Sequence, residues 1–127
     1  MNALLKEISD KLDNAEHRYY LAKKMTKFGI WDWDIENDIL IWDEEMMEMY
    51  KPKEVTNNVK MFYDSLHPED AELVKEKLEK ALHGDLYNYD FRIVTKDGEV
   101  KNIRGCGDTI RDESGKIVRM LGICLEN

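Results

Sequence analysis

From Asn2 to Lys27 the chain contains neither Pro nor Gly, and Leu5, Ile8, Leu12, Ala15, Tyr19, Ala22 and Thr26 recur at alternating steps of three and four. This spacing predicts one amphipathic helix over residues 1–28 with a heptad seam. Lys11 and Glu16 fall where parallel helices pair their charges, whereas Arg18 and Lys23 would repel, so the charges support a coiled coil only in part. The seam joins two chains or packs the helix on its own domain, and separate faces allow both.

Beyond Gly29 the period changes. Ile30–Ile35 and Ile39–Trp42 read as two short strands around the turn Glu36-Asn37-Asp38. Asp43 is placed to cap a short helix, with Glu44 and Glu45 in its positive first turn and Met46, Met49 and Tyr50 on one side. The stretch from Lys51 to Leu66 reads as irregular or briefly helical. Pro68 at a first helical position, followed by Glu69 and Asp70 and then Val74, Leu78, Ala81 and Leu82, predicts another helix that Gly84 stops. Three strands follow, Leu86–Thr95, Glu99–Thr109 and Lys116–Leu125, with turns at Asp97-Gly98 and Asp112–Gly115.

Alternation gives these strands their faces. Tyr87, Tyr89, Phe91 and Ile93 point one way and Asn88, Asp90 and Arg92 the other. On the last strand Met120, Gly122 and Cys124 share one face, but Leu121, Ile123 and Leu125 make the opposite face apolar too. A strand apolar on both sides belongs in the middle of a sheet. The helices between the second and third strands then cover one face, and the N-terminal helix is the expected cover for the other.

The length of 127 residues fits one domain, and three Trp, six Tyr and three Phe are enough to fill its core. A net charge of −8, with no basic patch, argues against nucleic acid and anionic lipid as partners. Cys106 and Cys124 lie in no CxxC or Cys/His metal pattern, no apolar run approaches the roughly 20 residues of a membrane span, and the N-terminus lacks a signal-peptide pattern. A cytoplasmic location is the expectation, without membrane contact by this segment.

Trp31-Asp32-Trp33-Asp34-Ile35, Trp42-Asp43-Glu44-Glu45, His67-Pro68-Glu69-Asp70, Phe91-Arg92-Ile93-Val94, Asp97-Gly98, Arg111-Asp112 through Gly115-Lys116, and Arg119-Met120-Leu121-Gly122 together resemble the PAS fold with its C-terminal PAC motif, over residues 29 to 126. The resemblance implies an α+β fold with a five-stranded antiparallel sheet in order 2-1-5-4-3, helices on one face, and a domain spanning 29–127 behind the helix of residues 1–28. Lys51 stands where a Gly usually ends the short helix, and Asn102 where a Trp is common. In relatives the closing motif leads to a histidine kinase, a diguanylate cyclase or another effector, so the resemblance implies an effector beyond Asn127.

A PAS fold leaves its ligand open, because function resides in the site. Haem needs an axial ligand aimed inward, and His17, His67 and His83 fall on the N-terminal helix, at a helix start and at a helix end. The Asn-Cys-Arg-Phe segment of photoactive flavin relatives does not occur. Haem and flavin are therefore disfavoured and no cofactor is expected. The inward faces nominate Phe91, Ile93, Ile103, Gly105, Met120 and Cys124 as walls of a cavity, closed by Leu73 or Leu78, and Gly105 and Gly122 permit close approach of a backbone or ligand. Such walls favour an apolar or aromatic small molecule.

Three functions remain open: a sensor that answers to a small molecule or partner, a ligand-free dimerisation module built on Leu5, Ile8, Leu12, Ala15, Tyr19 and Ala22, and an enzyme. No Ser/His/Asp or Cys/His constellation supports the third. The acid and imidazole cluster of Asp64, His67, Glu69 and Asp70 is explained by helix-start chemistry.

Overall fold

The computed structural model describes residues 3–127. Its elements are α1 (Ala3–Thr26), β1 (Gly29–Asp34), β2 (Ile39–Trp42), α2 (Glu44–Tyr50), α3 (Val59–Ser65), α4 (Pro68–Ala81), β3 (Tyr87–Val94), β4 (Val100–Arg111) and β5 (Ile117–Glu126). The strands form one antiparallel sheet in the order β2-β1-β5-β4-β3. The last strand in sequence is thus the central one, as its two apolar faces require.

Local chemistry explains the boundaries. The Asp43 carboxylate accepts the Met46 N–H at 2.9 Å and caps α2, and the acids of the next two residues suit the positive helix start. His67 caps α4 through Nδ1, which accepts the Glu69 N–H at 3.1 Å, with Pro68 opening the helix. At the end of α2, Lys51 adopts the left-handed conformation (φ 41°) that relatives assign to Gly. The carboxylate of Asp70 clamps α4 to edge strand β3 by accepting the Arg92 backbone N–H at 2.8 Å and its guanidinium at 2.7 and 3.0 Å.

Helices α2, α3 and α4 cover one face of the sheet, and the core lies between. Val74, Leu78 and Ala81 stand at steps of four and three along α4 and are buried. Leu73 was expected as a possible lid, but it is 57% exposed because it lies one residue, about 100°, round the helix from that stripe.

The N-terminal helix departs from expectation more fully. Its seam residues Leu5, Ile8, Leu12, Ala15, Tyr19 and Ala22 are exposed, and α1 does not cover the outer sheet face, where Ile41 and Leu121 also remain exposed. Its described anchoring contacts include a group near its C-terminal end. There Lys23 Nζ donates to Asp43 at 2.7 Å and to the Phe28 carbonyl, while Tyr19 meets the Phe28 ring edge-on at 6.5 Å. Lys27 (φ 49°) turns the chain out of the helix, so Gly29 already belongs to β1. Thr26 falls within α1, but its side chain lies outside the described part. Among the described residues no helix is long and apolar enough to cross a membrane.

Candidate functional site

Pairing registers place Trp42, Trp31, Gly122, Gly107 and Tyr87 in a single row across all five strands, on the helix-covered face. The two glycines leave a trough in the middle of that row. A Cβ at Gly107 would lie 2.4 Å from the tip of the Trp31 indole, and one at Gly122 would lie 2.3 Å from the same ring. Trp31 therefore lies over both, and its ring meets Tyr87 edge-on at a centroid distance of 6.1 Å.

Beside this ring the core leaves a cavity of about 40 Å³. Trp31, Trp33, Trp42, Tyr50, Phe62, Tyr87 and Phe91 give it seven aromatic walls, and Leu40, Met46, Val59, Leu78 and Cys124 complete it. Among the described residues no Asp, Glu, Lys, Arg or His lines it. Helix α2 supplies Met46 and Tyr50, both fully buried, and the Tyr50 ring stacks at a tilt on Trp42 at 4.6 Å. Helix α3 supplies Phe62, which meets Phe91 edge-on at 5.8 Å.

Asp38 fixes two of these walls from outside. One carboxylate oxygen accepts the Trp33 indole N–H at 2.9 Å and the Val59 N–H at 3.0 Å, tying β1 to the start of α3. Asp38 takes a left-handed backbone (φ 49°), which Asp tolerates better than most residues.

The polar atoms facing one another in this core are the Tyr50 hydroxyl and the Cys124 thiol, 3.4 Å apart. Burial pushes the Cys124 thiol up to about 12, against the opposing effect of hydrogen bonding with Tyr50 and Trp31. Burial also raises the Tyr50 phenol well above its ordinary range, with the Cys124 neighbour adding to it. Both groups stay protonated at neutral pH, so Cys124 is a poor nucleophile and the pair offers hydrogen bonds to a neutral guest.

Of the residues nominated from sequence, Phe91, Leu78 and Cys124 line the cavity. Ile93, Ile103 and Met120 are buried in the adjoining core, and Gly105 lies under the Phe91 ring, where a Cβ would come within 2.9 Å of it. Leu73 is excluded by its exposure. The tryptophan walls were missed, although Trp31 and Trp33 share a strand face by their spacing of two and Trp42 sits across the hairpin from Trp31. The three histidines lie away from the cavity: His17 and His83 are exposed, and His67 caps α4.

Sheet order and helical cover are those of the PAS fold, and a sequence model of the PAS fold matches residues 39–124. The chain belongs to the PAS fold family. It is 30% identical over 111 residues to the protein named "Probable diguanylate cyclase DgcE" of Escherichia coli (strain K12), a match covering 86% of this chain and 10% of that protein. The chain thus spans about a tenth of the length of that curated relative. Among solved structures it resembles a sensory box histidine kinase/response regulator from Burkholderia thailandensis E264, with a TM-score of 0.72, 24% identity, and 86% of this chain and 83% of that one covered. The N-terminal domain of a diguanylate cyclase with PAS/PAC sensor from Marinobacter aquaeolei matches with a TM-score of 0.70 and 20% identity, over 78% of this chain and 94% of that one.

Proposed function

We propose that this chain is the input module of a signalling protein, in which a small molecule held in the aromatic cavity biases the conformation passed to an effector beyond Asn127, a histidine kinase or a diguanylate cyclase. The observation that carries the reading is the position of β5. Its Met120 and Cys124 are buried against the helix-covered core, Leu121 is exposed on the opposite face, and Ile123 and Leu125 alternate with them on that outer side. One strand therefore touches the cavity and the outer surface together. A ligand shifts such an element only through its differential affinity for two arrangements, and a coupling of about 1–3 kcal/mol is enough for a useful response.

A ligand-free pairing module is the second reading, favoured by the exposure of Ile8 (48%) and Leu12 (60%) on the seam of α1. In this reading residues 1–28 are the pairing helix and two chains associate through it. A seam of about three heptads with Ala at two core positions gives modest association. Sedimentation of residues 1–127 and of a chain lacking residues 1–24 tests it: loss of the dimer on deletion supports pairing by α1, and an unchanged dimer or a monomer throughout rejects it.

The sensor reading is tested by NMR titration of the purified chain with a panel of neutral aromatic, neutral aliphatic and anionic small molecules. Saturable shifts at Tyr50, Tyr87 and Cys124 that extend to Leu121 and Ile123 support a cavity coupled to the outer face. A panel without effect on these residues, in a chain that pairs through α1, favours the second reading.

A further inference from the structure

The Trp31 indole lies within the inner-face row that runs from Trp42 to Tyr87. It is only 8% exposed and rests on the floor of Gly122 and Gly107, with Tyr87 at its edge. The neighbouring cavity of about 40 Å³ is too small for an additional ring, since an apolar cavity that accepts benzene measures about 150 Å³. A floor without side chains on two adjacent strands is a slot for a flat group, and the chain fills that slot with its own indole.

We propose that Trp31 is an internal substitute for the ligand, and that the ligand is a neutral, planar aromatic molecule of about indole size that binds by displacing the Trp31 ring from the slot over Gly107 and Gly122. This deepens the sensor reading and rests on it. The walls decide the class: among the described residues no charged side chain lines the site to compensate an ionic ligand, whose burial there would be costly. The six lining aromatic side chains other than Trp31 offer edges and faces to a ring. The protonated pair of Tyr50 and Cys124, 3.4 Å apart, gives one polar point at which a ring N–H or O–H is met. Such an arrangement makes the occupied and self-filled states mutually exclusive, which is what a two-state input requires.

The displacement carries a definite signature in affinity. Where only a fraction of molecules has the slot open, the apparent dissociation constant is the intrinsic one divided by that fraction. Removing the Trp31 ring abolishes this competition, so Trp31→Ala binds indole more tightly than the native chain, by about ten-fold or more if the open fraction is about a tenth or less. Gly107→Ala acts from the other side. Its methyl lies 2.4 Å from the Trp31 ring tip and drives the ring outward while leaving it in the chain.

The experiment uses residues 1–127 labelled with 5-fluorotryptophan, free indole as the probe, and ¹⁹F NMR with the three Trp signals assigned by single Trp→Phe changes. Indole is expected to move the Trp31 signal of the native chain to a second, more solvent-exposed position. Gly107→Ala should shift it the same way without indole, and Trp31→Ala should bind indole more tightly. Gly107→Ala retains all three tryptophans and serves if Trp31→Ala does not fold. Binding of indole with the Trp31 signal still in its buried position would overturn the displacement and leave the sensor reading standing. Equal or weaker binding by folded Trp31→Ala would also overturn it. Saturable binding of a carboxylate in preference to indole would overturn the ligand class alone.

Discussion

Replacing either glycine of the central trough by alanine tests the packing on which the cavity depends. At Gly107 the new methyl would lie 2.4 and 2.6 Å from two atoms of the Trp31 ring and 3.2 Å from the Leu121 carbonyl oxygen. At Gly122 it would lie 2.1 Å from the Cys106 carbonyl oxygen as well as 2.3 Å from Trp31. Ordinary carbon contacts fall at about 3.5–4.0 Å, so both methyls intrude by about an ångström or more. Overpacking of this kind costs about 1–3 kcal/mol, and exchanging Gly for Ala in a strand returns roughly 0.5–1 kcal/mol. Gly107→Ala presses on a ring tip that moves, and should cost about 1–2 kcal/mol net. Gly122→Ala presses on the backbone of a paired strand, and should cost about 3 kcal/mol or more. Urea unfolding at constant m measures both, and a double-mutant cycle with Trp31→Ala separates the causes. Loss of the indole should recover most of the Gly107→Ala cost and a much smaller share of the Gly122→Ala cost, because the Cys106 carbonyl remains. The reasoning is refuted if both glycine variants match the native chain within about 0.5 kcal/mol, or if Trp31→Ala relieves the two equally.

Three further outcomes follow from individual side chains. Lys51→Gly should stabilise the domain by about 1 kcal/mol in urea unfolding, since Lys51 holds a left-handed backbone that Gly adopts at little cost; a neutral or destabilising result would show that the lysine side chain compensates. A thiol reagent at pH 8 should modify half-buried Cys106 and spare buried Cys124, whose thiol is pushed up to about 12, until the protein unfolds; equal rates at the two sites in the folded chain would contradict the protection of Cys124 by the core. Hydrogen bonds from Arg92 hold the Asp70 carboxyl below the usual carboxylate range, so its contribution is present above the unfolded value near 3.8 and is lost as pH falls through the lower folded value. Asp70→Asn should therefore flatten stability against pH below about 5, and a profile as steep as that of the native chain would refute this assignment.

The turns, the caps of α2 and α4 and the central place of β5 were readable because each depends on neighbours in sequence or on the two faces of one strand. The cavity was readable only in part. Alternation put Phe91 and Cys124 on the inner face and helical spacing put Leu78 there, yet Leu73, adjacent to the buried stripe, turned outward. The tryptophan walls needed the pairing of β1 with β2 and β5, and the role of Gly107 needed the register of β4 against β5, which brings it beside Gly122 and under Trp31. Such relations join residues as distant in sequence as Trp31 and Gly122 and leave no local period. The exposure of α1 was likewise unreadable, because a heptad seam has the same pattern whether it meets its own sheet or another helix.

The central claim is that β5 carries a cavity event to an effector. Its most direct test joins residues 1–127 to a histidine-kinase output through a helix after Asn127 and compares kinase activity at matched folded fractions for the native sensor, Cys124→Trp on the cavity side and Ile123→Ala on the outer side. The account predicts that Cys124→Trp shifts the output in one direction and that Ile123→Ala weakens that shift when the two are combined. An output left unchanged by both substitutions would contradict it.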